Sequence, residues 1–200
     1  VKVQPNAEAN TAGTNSYFND LGTVEWAASA INSLYEKGII SGVGDKRFEP
    51  DSFVTREEFL KMAVNAFNIQ KISDIDAINK FEDVNKDEWY FPYIDIAVSK
   101  GIVNGVADAR FGIGEKITRQ DMCVMVYRCI KEKGMSIKTS DNAENFVDFD
   151  KCSDYSKEAV KALSANNIIN GVGENTFDPD GFATRAMAAV IIDRALSKTY

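Results

Sequence analysis

The sequence predicts a mainly α fold made of three helix–loop–helix repeats. One observation is a motif that recurs three times: Gly-Val-Xaa, then Phe, then Thr-Arg. The copies are Gly42-Val43-Gly44, Phe48 and Thr55-Arg56; Gly105-Val106-Ala107, Phe111 and Thr118-Arg119; and Gly171-Val172-Gly173, Phe177 and Thr184-Arg185. A fixed-period repeat makes each copy a unit that stacks on its neighbours. The other observation is the apolar pattern around each copy, which follows the i, i+3, i+4, i+7 spacing of amphipathic helices.

In the first copy, Ala27, Ala30, Ile31, Leu34 and Tyr35 form the stripe of the first helix, and Lys37-Gly38 supplies its C-terminal stop. Ser41 to Asp45 turns sharply, and Phe48 is placed to anchor the loop in the core. The second helix starts at Thr55, where Thr55-Arg56-Glu57-Glu58 reads as a capping box. Asp121 keeps an acid at the equivalent position of copy two, and Met187 replaces it in copy three. Stripes then follow: Phe59, Met62, Ala63, Ala66 and Phe67; Met122, Met125, Val126, Cys129 and Ile130; Ala188, Ile191, Ile192 and Ala195. Each repeat has nowhere else to bury its stripe, so the second helices are expected to meet on a common axis. The expected divisions are a linker over 1–16 and repeats over 17–68, 80–133 and 146–200. The whole of 17–200 is expected to form one cooperative domain.

Upstream, the copies also share Phe18-Asn19-Asp20, Phe81-Glu82-Asp83 and Phe146-Val147-Asp148. Trp26 and Trp89 correspond, with Tyr155 in their place in the third copy. Arg56, Arg119 and Arg185 break a local rule, because a cation at the first turn of a helix faces the positive end of the dipole. Two readings fit them. One is an ion pair to Asp20, Asp83 or Asp148. The other is an anion site built from the guanidinium, the free N–H groups of the helix start and the glycine loop. Trp26 and Trp89, at the starts of the first helices, read as core residues in the first instance, and alternatively as a platform for a sugar ring.

Thirty acidic against 23 basic residues give a net charge of −7, which argues against a nucleic-acid partner. No apolar run is long enough to span a membrane. The chain contains no histidine, the commonest acid–base residue and metal ligand, and Asp45, Glu49 and Asp51 lack the spacing of a calcium loop. Cys123, Cys129 and Cys152 are an odd count, and buried thiols are expected for the first two. No catalytic group, metal or cofactor is expected. The start at Val1 suggests a mature or excised fragment, and the N-terminal linker with the finish at Tyr200 suggests a C-terminal anchor.

Together these residues resemble the S-layer homology (SLH) family, in three tandem repeats over about 17–198. The matched pattern is Phe-x-Asp, an aromatic, Gly-Ile-Ile, Gly-Val-Gly with a following Phe, and Thr-Arg-x-Glu. The resemblance implies a pseudo-threefold arrangement around a central helical bundle, on the surface of a Gram-positive-type bacterium. It implies non-covalent anchoring to a secondary cell wall polymer, a peptidoglycan-linked glycan that often ends in a pyruvylated amino sugar. Grooves between repeats would be lined by Asp20, Trp26, Gly42 and Arg56; by Asp83, Trp89, Gly105 and Arg119; and by Asp148, Gly171 and Arg185. Tyr155, Met187, and Thr176 in place of Arg47 and Arg110, make the third copy the weakest match. Fusion to an S-layer, enzyme or scaffold region is compatible with this pattern. A self-assembly module without glycan binding is the rival reading, and an enzyme on wall polysaccharide a further one.

Overall fold

The computed structural model describes residues 16–71, 81–138 and 146–198. All of the expected linker except Ser16, and most of both inter-repeat connections, lie outside them. The described residues contain six α-helices and no strand: α1 Glu25–Glu36, α2 Arg56–Ala66, α3 Phe91–Ser99, α4 Arg119–Glu132, α5 Asp154–Ala165 and α6 Arg185–Lys198. A short 3-10 turn, Phe149–Lys151, precedes α5. It lies between Asp148 and Tyr155, where the third copy is one residue longer than the other two.

The second helices, α2, α4 and α6, each pack against the other two. Their stripes are buried, with Phe59, Ala63, Val126, Ile130, Ala188 and Ile192 fully so. At one end of this bundle the three segments before the helices are joined by backbone hydrogen bonds. Val54 N donates to Ala183 O (3.1 Å), Ala183 N to Ile117 O (3.0 Å), and Ile117 N to Val54 O (3.1 Å). The ring closes on itself, with one residue from each repeat.

The outer helices do not lie on their own partners. α3 packs on α2, α5 on α4, and α1 on α6. Each first helix therefore covers the second helix of the preceding repeat, and the first repeat covers the last. The sequence repeat and the packing unit are offset by half a repeat. A single repeat would leave both stripes exposed, and the summed apolar burial that drives folding comes from the ring as a whole.

The loops are held by two residues of the upstream motif. Phe18, Phe81 and Phe146 pack on Phe48, Phe111 and Phe177, with ring centroids 5.3, 5.9 and 5.4 Å apart. Asp20 accepts from the amides of Phe48 and Glu49. Asp83 accepts from Phe111, Gly112 and Ile113, and Asp148 from Phe177 and Asp178. These aspartates are loop anchors, and they do not pair with the arginines.

Candidate functional site

Each of the three arginines leaves its own repeat. Arg185 Nε donates to Phe48 O (2.8 Å), Arg56 Nε to Phe111 O (3.1 Å), and Arg119 Nε to Phe177 O (2.7 Å). The guanidinium carbons stand 4.5, 5.5 and 5.0 Å from the rings of the same phenylalanines. In every repeat the phenylalanine peptide is thus gripped on both sides. Its N–H goes to its own aspartate, and its C=O goes to the arginine of the preceding repeat. This is the gain that offsets a cation at a helix start: a buried carbonyl is satisfied by a charged donor.

The free helix-start amides expected to help hold an anion are already used. Arg185 N and Ala186 N donate to Ser52 O and Pro50 O, and Arg119 N and Gln120 N to Gly181 O and Pro179 O. Arg56 N donates to Glu115 O. The third amide of each helix bonds to Thr55, Thr118 or Thr184. Eight of these nine amides are thus engaged, so donors to a ligand come chiefly from side chains.

The arginines line three grooves, each assembled from all three repeats. The first groove, of about 210 Å³, is lined by Arg185, Ser41 and Phe48, by Glu58 and Lys61 of α2, and by Trp89. The second, of about 420 Å³, has Arg56, Asn104 and Gly105, Asp121 and Arg128 of α4, and Tyr155. The third, of about 400 Å³, has Arg119, Asn170 and Gly171, Met187 and Arg194 of α6, and Trp26. The larger two fall in the size range of small-ligand pockets. The rule is the same each time: arginine from the preceding repeat, loop and central helix from one repeat, aromatic from the next. The within-copy grouping of the expected site residues is therefore replaced by a cyclic one.

The aromatics are surface residues. Trp26 is 58% exposed, Trp89 48% and Tyr155 55%, so the platforms are open to a ligand. Lys61 Nζ lies 5.3 Å from the Trp89 ring. The loop glycines act sterically. A Cβ on Gly42 would stand 2.6 Å from both Arg47 O and a Phe18 ring carbon, and one on Gly171 would stand 2.7 Å from Thr176 O. A Cβ on Gly105 would collide with Arg110 O and Phe81, and its φ of +88° suits glycine besides. The glycine lets the loop close onto the Phe-x-Asp segment.

The three departures of the third copy fall in different places. Tyr155 sits in the Arg56 groove and Met187 in the Arg119 groove. Arg47 and Arg110, which Thr176 replaces, are exposed and pair with Glu49 and Glu115 of their own loops. The loss of that cation does not empty a groove. Sequence reasoning missed Asn104, Asn170, Lys61, Arg128 and Arg194 as lining residues. Extending the comparison of the copies along the second helix would have raised Arg128 and Arg194, which are equivalent, but not Lys61, whose counterparts are Val124 and Val190.

Electrostatics separate the grooves. Burial pulls Arg119 and Arg185 below the usual arginine value. Arg56 Nη1 is paired to Asp121 Oδ2 at 2.6 Å. Tyr155 Oη donates to Asp121 Oδ1 at 2.7 Å, and burial with that bond pushes the phenol up to about 12. Burial alone would raise Asp83 and Asp148, but the amides of Phe111 and of Phe177 with their neighbours outweigh it and hold both carboxyls below the usual range. All three cysteines are buried, and Cys123 lines the Arg119 groove with its thiol pushed up to about 12 by burial.

The S-layer homology domain model matches residues 17–60, 80–123 and 145–189. The chain belongs to the S-layer homology domain family. It is 34% identical over 183 residues to "Exoglucanase XynX" of Acetivibrio thermocellus, covering 91% of this chain and 16% of that protein. It is 33% identical to "Amylopullulanase" of Thermoanaerobacterium thermosulfurigenes, covering 91% of this chain and 10% of that protein. It is 25% identical to "Surface-layer 125 kDa protein" of Lysinibacillus sphaericus, covering 89% of this chain and 15% of that protein. The chain thus spans a small part of each relative. The family and the surface-layer relatives place it outside the cell, at the bacterial cell surface, as an anchoring module. No helix among the described residues is long and apolar enough to cross a membrane.

Proposed function

We propose that this chain anchors the protein carrying it by binding the acidic end of a secondary cell wall polymer in its inter-repeat grooves. The observation that carries this is the threefold recurrence of one arrangement. A largely buried arginine and an exposed aromatic line the same groove, and a close-packed glycine loop forms the wall of two of the three. A pyruvylated amino sugar offers the matching parts, a carboxylate for the guanidinium and a ring face for the aromatic. In the first groove, Arg185 Nη2 donates to Ser41 O while Nη1 makes no hydrogen bond among the described residues. That nitrogen is a donor for the ligand.

Hydrolysis of wall polysaccharide is less well supported. Glycoside cleavage needs two carboxylates flanking the bond. The first groove is lined by Glu58, the second by Asp121 and the third by no carboxylate. Fusion to an enzyme or a surface-layer region elsewhere in the same protein fits this role.

The test is sedimentation of the chain with purified walls, before and after chemical removal of their secondary polymer. Binding to intact walls and its loss after stripping are expected. Equal binding to stripped walls would overturn the reading, and release of reducing sugar would favour the enzyme.

A further inference from the structure

We propose that the residue three positions after each N-cap threonine sets the ligand charge each groove accepts. The Arg119 groove, with Met187 there, is the acid-selective site, and the Arg56 groove is closed to acids by its own Asp121. This rests on the glycan-binding reading and adds a division of labour among the grooves.

Glu58, Asp121 and Met187 occupy one position on three equivalent helices, and all three line grooves. In the Arg56 groove the position holds a latch. Asp121 takes the arginine with one oxygen and the Tyr155 hydroxyl with the other. Arg56, Asp121 and Tyr155 come from three different repeats, so the latch ties the cation and the aromatic platform to each other. An incoming carboxylate must displace Asp121 and gains no net charge by doing so.

The Arg119 groove is the opposite case. Arg119 Nη1 meets only the Met187 sulfur, at 3.7 Å, a weak acceptor. Arg194 adds a second cation, and no carboxylate among the described residues lines the groove. Asp178 and Asp148 act on Arg119 at longer range without an ion pair to it, and Asp148 is spent on the amides of Phe177 and Asp178. A buried guanidinium with no carboxylate paired directly to it is a strong site for an anion, because a compensating charge relieves its desolvation. Trp26 lies in the same groove, ready to stack on the ring. The Arg185 groove is intermediate. Glu58 lines it, but its carboxylate is turned onto the Thr55 amide (2.9 Å), and Lys61 offsets it.

The chain has two tryptophans, which makes the grooves separately readable. Trp26 reports on the Arg119 groove and Trp89 on the Arg185 groove. The probes are the methyl glycoside of an N-acetylhexosamine carrying a pyruvate ketal, and its uncharged methyl ester. Indole N–H resonances are followed by NMR through a titration of the whole chain, with calorimetry for stoichiometry. The acid is expected to shift Trp26 first, at least tenfold more tightly than the ester. Met187→Glu is expected to weaken the acid at Trp26 at least tenfold and the ester far less. The thermal transition should rise, since the same change completes a cap that Glu58 shows to fit. Asp121→Asn is expected to add an acid-binding event not seen by either tryptophan. Unchanged acid binding at Trp26 in Met187→Glu, or ester binding as tight as acid in the parent chain, would overturn the inference alone. Binding of neither sugar by the parent chain would overturn the glycan reading and this inference with it.

Discussion

The three arginines show how a residue unfavourable in its own helix is selected by its neighbour. Arg119 loses dipole energy at the start of α4 but satisfies Phe177 O and Asn170 O in the next repeat. Arg119→Ala should therefore cost stability as well as affinity. The Phe177 carbonyl would lose a charged donor in a buried place, a loss of about 1.5–3 kcal/mol. Lysine should recover only part of it, because a point charge cannot serve Nε and Nη contacts together. Chemical denaturation of the two variants checks this, and equal stability of Arg119→Ala and the parent chain would remove the structural role. The loop aspartates give a pH signature. Asp83 and Asp148 are held below the usual value of 3.8 in the fold, so their ionised forms favour the folded state. That contribution is fully present above the unfolded value and is lost as pH falls through the lower folded values. Stability should hold steady down to about pH 5 and then drop toward pH 3, with the Asp83→Asn variant showing a shallower fall.

At the scale of elements, the helix starts are not equivalent although their sequences align. In α2 the capping box is complete, with Thr55 accepting from Glu58 N and Glu58 accepting from Thr55 N. In α4 the Asp121 side chain has left the cap for Arg56 and Tyr155, so only the threonine half remains. In α6 Met187 has no oxygen to return. Met187→Glu should stabilise the chain by about 0.5–1 kcal/mol, the scale of a recovered cap hydrogen bond. A thermal scan reads this directly, and a lower midpoint would show that burial of the new carboxylate outweighs the cap. The outer helices carry a second expectation. α1 covers α6, so removal of residues 1–40 should expose the stripe of a helix at the far end of the chain. The shortened chain is expected to lose its cooperative melt, followed by circular dichroism, and not merely to lose the roughly one sixth of its helix signal that α1 carries.

The whole molecule is a ring closed by hydrogen bonds, by helix packing and by arginines, each running from one repeat to the next. Because the third repeat supplies Arg185 to the first, no repeat is structurally terminal. A linear repeat array would unfold from its ends. Here a single calorimetric transition is expected, with calorimetric and van't Hoff enthalpies in agreement. Separable transitions, or a stable isolated repeat over 17–68, would contradict the ring. The same closure explains why every groove contains all three repeats: each groove exists only when the fold is complete.

The sequence alone determined the local structure. The periodic stripes, the threonine caps and the recurring motif located all six helices, because amphipathic spacing and cap chemistry are properties of neighbouring residues. It also singled out Arg56, Arg119 and Arg185, since a cation at a helix start conflicts with the dipole wherever the chain goes next. It did not reveal partners. Shared recurrence offers Asp20, Asp83 and Asp148 as one of two sets of partners for the arginines, yet those carboxylates hold amides in their own loops. Tyr155 and Met187 were read as defects of one groove, yet they stand in two. Identical repeats look the same whether a residue reaches its own copy or the next. Only the tertiary structure, in which each repeat buries its stripe on the one before, decided which residues share a groove.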